Sequence, residues 1–94
     1  MVNMNERQPV RVLARTLKAL ANERRLAIVR FLKKIKEAGV GDIAEEINLS
    51  FKATSKHLGI LTNAGIIDRQ QRSKEVFYFL SSTMPESARR VVSL

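Results

Sequence analysis

Up to Gly65 the apolar residues of this chain recur at helical spacing, and after Gly65 they do not. Val10, Leu13, Ala14, Leu17, Leu20 and Ala21 form a first stripe. Leu26, Ile28, Val29, Phe31, Leu32 and Ile35 form a second, wide enough that this helix is expected to be the most buried. Ile43, Ala44 and Ile47 mark a short third helix, and the stretch from Phe51 to Ala64 a fourth. Beyond Gly65, "IIDRQ" and "EVFYFLS" are rich in β-branched and aromatic residues and flank the polar "QRSK", which is the pattern of a β-hairpin. A last short helix is expected from Pro85. The order confines the chain to a mostly α fold with a small β-hairpin: about five helices and a two-stranded wing.

The punctuation agrees with the periodicity. Pro9 suits a first helical turn, and Asn22 an N-cap for a helix from Glu23 to about Lys36. "EAGVGD" breaks the pattern with two glycines, and the third helix is expected from about Gly41 to Asn48. "NLS" is a compact turn that places Ser50 as N-cap of the fourth helix, which Gly65 ends. Two helices joined by so short a turn form a helix-turn-helix.

Ninety-four residues make one domain, 1–94, with residues 1–8 expected to lack order. The chain is 45% apolar and 28% charged, a globular rather than a disordered profile. It has no cysteine, which removes disulfides, thiolate metal sites and cysteine nucleophiles together. Met1 to Gln8 is polar, without the apolar region of a secretory signal, and no apolar run approaches a membrane span. A cytoplasmic protein without a membrane partner is expected. Seventeen Lys and Arg against nine Asp and Glu give a net charge of +8, which favours a polyanionic partner.

The fourth helix says where that partner lies. At about 100° per residue, Ala53, His57, Ile60, Leu61 and Ala64 fall together, with Thr54 and Leu58 near their edge. The opposite arc carries Phe51, Lys52, Ser55, Lys56, Gly59, Thr62 and Asn63, and no acidic residue occurs between Ser50 and Ile67. Donors at the leading turns and a slim Gly59 suit entry into a DNA major groove. The positive end of the helix dipole adds attraction for phosphate. Taken alone, the face fits a plain solvated surface equally well. The hairpin close behind it, with Arg69, Gln70, Gln71, Arg72, Ser73 and Lys74, shifts the balance toward nucleic acid.

"LKALANERRLAIVRFL", "VGDIAEEINLSFKATSKHLGILTNAGIIDRQ" and "SKEVFYFLS" resemble the ArsR-type winged helix-turn-helix repressors, from about Val10 to Ser81. The resemblance implies that Phe51, Lys52, Ser55 and Lys56 face DNA and that Arg72 to Lys74 form the wing tip. With the residues around them, the expected DNA-binding set is Ser50, Phe51, Lys52, Thr54, Ser55, Lys56, Arg69, Gln71, Arg72 and Lys74. The resemblance further implies a homodimer built by the terminal helices, 9–21 and 84–94, through Val10, Leu13, Leu17, Val91, Val92 and Leu94. A two-fold dimer would set its recognition helices about 34 Å apart and select a pseudo-palindrome.

Three positions depart from the family pattern. Phe51 stands where Gln is frequent; it is expected to fold back as a hydrophobic staple rather than to press on a thymine methyl. Gly59 replaces a common cation, at a helix cost of about 1 kcal/mol. Ser73 stands where a wing-tip Gly is frequent.

Many ArsR-type repressors sense a metal. The two cysteines of one common version correspond here to Gly39 and Gly41, around Val40 and before Asp42, so thiolate sensing is disfavoured. A second version uses His and carboxylates of the last helix, which here offers Glu86 alone. His57 is read as a packed or phosphate-contacting residue, because metal ligation needs partners that the sequence lacks. No cofactor or metal is expected, and the effector is not named by the sequence. No enzyme motif stands out either: the adjacent Glu45 and Glu46 diverge on a helix and make a poor acid–base pair. Two other readings stay open: a nonspecific architectural binder of DNA or RNA, and a protein-interaction module on the same scaffold.

Overall fold

A computed structural model describes residues 8–94. Five helices and three strands follow in the order α1 (Val10–Leu20), α2 (Glu23–Ile35), β1 (Glu37–Gly39), α3 (Val40–Ile47), α4 (Phe51–Asn63), β2 (Ile67–Arg72), β3 (Glu75–Leu80) and α5 (Glu86–Val92). Most of the segment expected to lack order, residues 1–7, lies outside the described residues. Gln8 is described: its Oε1 accepts a hydrogen bond from Ser87 Oγ at 2.9 Å and ties the start of α1 to α5.

The expected caps form. Asn22 Oδ1 accepts from the Arg25 N–H at 3.1 Å, and Ser50 Oγ from the Ala53 N–H at 3.1 Å, each satisfying a free donor of a first helical turn. Helix α4 stops at Gly65, whose φ of 74° is one that glycine adopts without strain. The Gly65 N–H bonds Thr62 O at 2.9 Å and the Ile66 N–H bonds Leu61 O at 3.0 Å, so a Schellman motif closes the helix.

The end of α2 differs from the expectation. It stops at Lys36, which takes φ 81°, before either glycine is reached. The segment read as a break is β1, and α3 begins at Val40. β1 pairs antiparallel with β3, Glu37 opposite Phe79 and Gly39 opposite Phe77, while β2 pairs with the other side of β3. The expected hairpin wing is therefore two strands of a three-stranded sheet, in the order β1-β3-β2.

The core is built from Ile28 and Leu32 of α2, Ile43 of α3, Leu58 and Leu61 of α4, and Ile66 and Ile67 at the start of the wing, all essentially inaccessible. Each such side chain contributes about 1.5–3 kcal/mol by leaving water. Helix α2 touches every other helix and the sheet, as its broad stripe implied. The stripe's edges, Leu26 and Ile35, nevertheless stand exposed. Among the described residues no helix is long and apolar enough to cross a membrane.

Candidate nucleic-acid interface

Helix α4 buries Thr54, Leu58 and Leu61, a single stripe at i, i+4 and i+7. Ile60 is 43% exposed, so the buried face is turned toward Thr54 and away from Ile60 relative to the arc drawn from sequence. This corrects the expected DNA-binding set. Thr54 is fully buried, its hydroxyl has no hydrogen-bond partner, and it cannot reach DNA. The other side of α4 presents Phe51, Lys52, Ser55, Lys56 and Gly59 to solvent. A Cβ added at Gly59 would meet no atom within 4 Å, so packing does not exclude a longer side chain there. Ser50 is exposed, although its oxygen is committed to the N-cap.

Phe51 does not fold back as a staple. It is 64% exposed and stands at one side of a cleft of about 480 Å³, shared with Lys74, Val76, Tyr78 and the Gly39–Asp42 turn. The leading turn of α4 and the wing tip therefore border one opening. Gly39 and Gly41 border the same cleft, and a Cβ at either would meet ordinary contact or open space.

The wing divides its polar residues by the pleat. Arg69 lies opposite Tyr78 and Gln71 opposite Val76, on the face that buries Tyr78. Gln70 and Arg72 alternate to the other face, with Phe77. There the Arg72 guanidinium lies 4.8 Å from the centroid of Phe77 and grips Glu37 of β1 with both ends, Nη1 to Oε2 at 2.5 Å and Nη2 to Oε1 at 3.0 Å. Arg72 Nε and Nη2 also donate to Gln70 Oε1. The hydrogen bond from Arg72 holds the Glu37 carboxyl below its ordinary range, and the same contact holds Arg72 above its own. Of the expected wing cations, Arg69 and Lys74 enter no ion pair among the described residues, while Arg72 is fully engaged. Ser73 turns the hairpin at φ 56°, in the left-handed region where the family's frequent Gly is at ease.

Two arginines in the first turn of α2 lock the frame behind this face. Arg24 Nη1 donates to the Ile47 and Asn48 carbonyls at the end of α3. Arg25 donates from Nε to Ala19 O at 2.5 Å and from Nη2 to Lys18 O at 3.2 Å, closing the end of α1. Its Nη1 lies 3.1 Å from His57 Nδ1 on α4. A guanidinium can only donate, so Nδ1 accepts and the imidazole is neutral. Partial burial first, then Arg25 and Arg24, push the His57 pKa below its ordinary value. Among the described residues no group of three or more His, Asp and Glu gathers as a metal site. Sequence reasoning assigned no role to Glu37. Its only signal was an acid beside a glycine-rich break, and its partner lies 35 positions away.

The family model of the bacterial regulatory proteins of the arsR family matches residues 22–69. Transcriptional activator HlyU of Vibrio cholerae is 43% identical over 67 residues, covering 71% of this chain and 61% of HlyU. The arsenical resistance operon repressor of Escherichia coli is 33% identical over 75 residues, covering 80% of this chain and 64% of the repressor. The chain thus aligns with less than two thirds of either relative's length. The solved structure of Vibrio cholerae HlyU superposes with a TM-score of 0.77 at 33% identity, covering 98% of this chain and 91% of that one. A homodimeric winged helix-turn-helix DNA-binding domain from Mycobacterium bovis, a possible ArsR-family transcriptional regulator, superposes with a TM-score of 0.78 at 27% identity, covering 89% and 74%. With its helix-turn-helix matched by the family model and its whole frame superposed on these folds, the chain belongs to the arsR family of bacterial regulatory proteins.

Proposed function

We propose that this chain is a homodimeric, sequence-specific DNA-binding transcriptional regulator that represses by occupying a pseudo-palindromic operator. The observation that carries the reading is the exposed, acid-free face of α4, with Lys52, Ser55 and Lys56 on it and Lys74 across a shared cleft from Phe51. Lys52, Ser55 and Lys56 would meet base edges in the major groove, Phe51 a thymine methyl, and Arg69, Gln71 and Lys74 the flanking backbone. Phosphate contacts would supply most of the affinity. Arg72 would join them only by leaving Glu37.

The homodimer of the Mycobacterium bovis domain supports a two-fold assembly here. Helix α1 offers the surface for one: Val10 is 81% exposed, and Leu13 and Leu17 continue the stripe. Leu94 is exposed as well, while Val91 and Val92 pack partly on the chain's own core. Repression is the sign carried by the name of the Escherichia coli relative, and HlyU is named an activator.

The test is fluorescence anisotropy of the protein with its own promoter fragment and with a shuffled copy, at several salt concentrations. A preference of about a thousandfold or more marks specific recognition. Equal, steeply salt-dependent binding to both would make it an architectural binder, and absence of binding would leave the interaction-module reading. Transcription from the bound promoter in vitro then reads the sign.

A further inference from the structure

Helices α1 and α4 leave between them a second cleft, of about 500 Å³, on which DNA reading makes no call. Its floor is apolar: Ala14 and Ala19 from α1, Ala64 and the flank of Ile60 from α4. Its rim is cationic, with Arg11, Arg15 and Lys18 along α1 and Arg25 behind them, and no carboxylate lines it. Among the described residues Arg11, Arg15 and Lys18 enter no ion pair. The size is that of a small-molecule site, and so is the pairing of an apolar floor with a few polar groups.

The two halves of the cleft select different parts of a ligand. Clustered cations repel one another, and a carboxylate relieves that repulsion while accepting charge-assisted hydrogen bonds. A bare phosphate would satisfy the rim and leave the alanines and Ile60 in water. An alcohol would cover the floor and gain nothing from the rim. We propose that this cleft binds a small organic carboxylate with an apolar body, its head at Arg15 and Lys18 and its body along Ala14, Ile60 and Ala64. Arg25 gives the site a route to α4. The same guanidinium that borders the cleft holds His57 Nδ1, one residue from Lys56, so a carboxylate that draws on Arg25 loosens a tether of the recognition helix. That consequence rests on the DNA-binding reading, whereas occupancy of the cleft does not.

The experiment is an amide-resolved NMR titration of the full chain with decanoate below its micellar concentration, without DNA. Decanol and inorganic phosphate are titrated in parallel. Saturable shifts at Ala14, Ala19, Ile60 and Ala64 are expected with decanoate, weakened about tenfold in Arg15→Gln and in Ile60→Ser, and at least as much weaker with decanol or phosphate. Both variants change exposed side chains, so an unaltered spectrum elsewhere certifies the fold. The proposal is overturned if decanoate moves none of these amides, or if decanol or phosphate moves them equally. It is also overturned if a DNA duplex moves them and decanoate does not, because the cleft is then part of the DNA surface. Failure of the DNA-binding reading would show instead as absent duplex binding, with the decanoate shifts intact.

Discussion

Arg72 of the wing reaches across the ring of Phe77 to Glu37, holding both carboxylate oxygens from two strands away in a three-stranded sheet. The pair is exposed, so its worth to the fold is small. Its consequence is for binding: a wing cation that is already neutralised meets phosphate only in exchange for its carboxylate. Glu37→Gln is therefore expected to tighten DNA binding at low salt. The salt dependence should steepen by about 0.9 log units per protomer, one added phosphate contact. Anisotropy titrations across a salt series measure both. Weaker binding by the variant would show that the wing needs its anchor more than its free charge.

Lys56 stands on the exposed arc of α4 with no acidic neighbour on the helix. Lys56→Ala is expected to cost about 1–3 kcal/mol of operator affinity and to narrow the gap between operator and shuffled DNA. Lys74→Ala, by contrast, should weaken both DNAs alike, because a backbone contact carries no sequence information. The same anisotropy assay, run on both DNAs, separates the two.

Thr54 offers a stability test that also settles its role. Its hydroxyl is buried without a partner, a state that costs about 1–3 kcal/mol. Valine has the same shape and similar helix propensity. Thr54→Val should raise stability by about 1 kcal/mol, or Tm by about 4–8 °C, with DNA affinity unchanged. Thermal unfolding and anisotropy read the two halves of that expectation. A loss of DNA affinity would return Thr54 to the binding surface.

The contrast between Thr54 and Lys56 shows what the sequence could and could not convey. Periodicity and caps located α1, α2 and α4 because those signals are local: Asn22, Ser50 and Gly65 each act within a few residues of themselves. Thr54 was set at the edge of the buried arc and assigned outward by its chemistry, but packing turned the helix by enough to bury it. β1 was illegible because three residues carry no measurable period, and their pairing with Phe77 to Phe79 is long-range. The engagement of Arg72 followed from the same unseen strand. Phe51, read as a staple, is exposed because the wing opens a cleft beside it rather than closing on it.

Leu13 and Leu17 test the proposed assembly. Both are exposed on α1, so charge there leaves the core of one protomer intact. The double change Leu13→Glu with Leu17→Glu is expected to give a folded monomer by sedimentation. Operator affinity should fall about a hundredfold or more, because the second half-site no longer binds within the same complex. An unchanged sedimentation coefficient would place the dimer contact elsewhere.

His57 makes the stability of the fold depend on pH in a window of its own. The unfolded chain takes up a proton on this residue near its ordinary value of 6.5, while burial and the nearby Arg25 and Arg24 delay that uptake in the folded state. Between those two points the unfolded state holds more protons, so stability rises with pH through the window. It is fully present above 6.5 and is lost as pH falls toward the lowered value. Glu37 also has a lowered pKa, but its loss sets in below the ordinary carboxylate value of 4.5, and the two ranges separate. In His57→Gln the amide oxygen can still accept from Arg25 and nothing titrates. Urea unfolding between pH 7 and 5 should therefore show a steeper decline for the wild type than for the variant. Parallel curves would mean that Arg25 does not hold the neutral ring in solution.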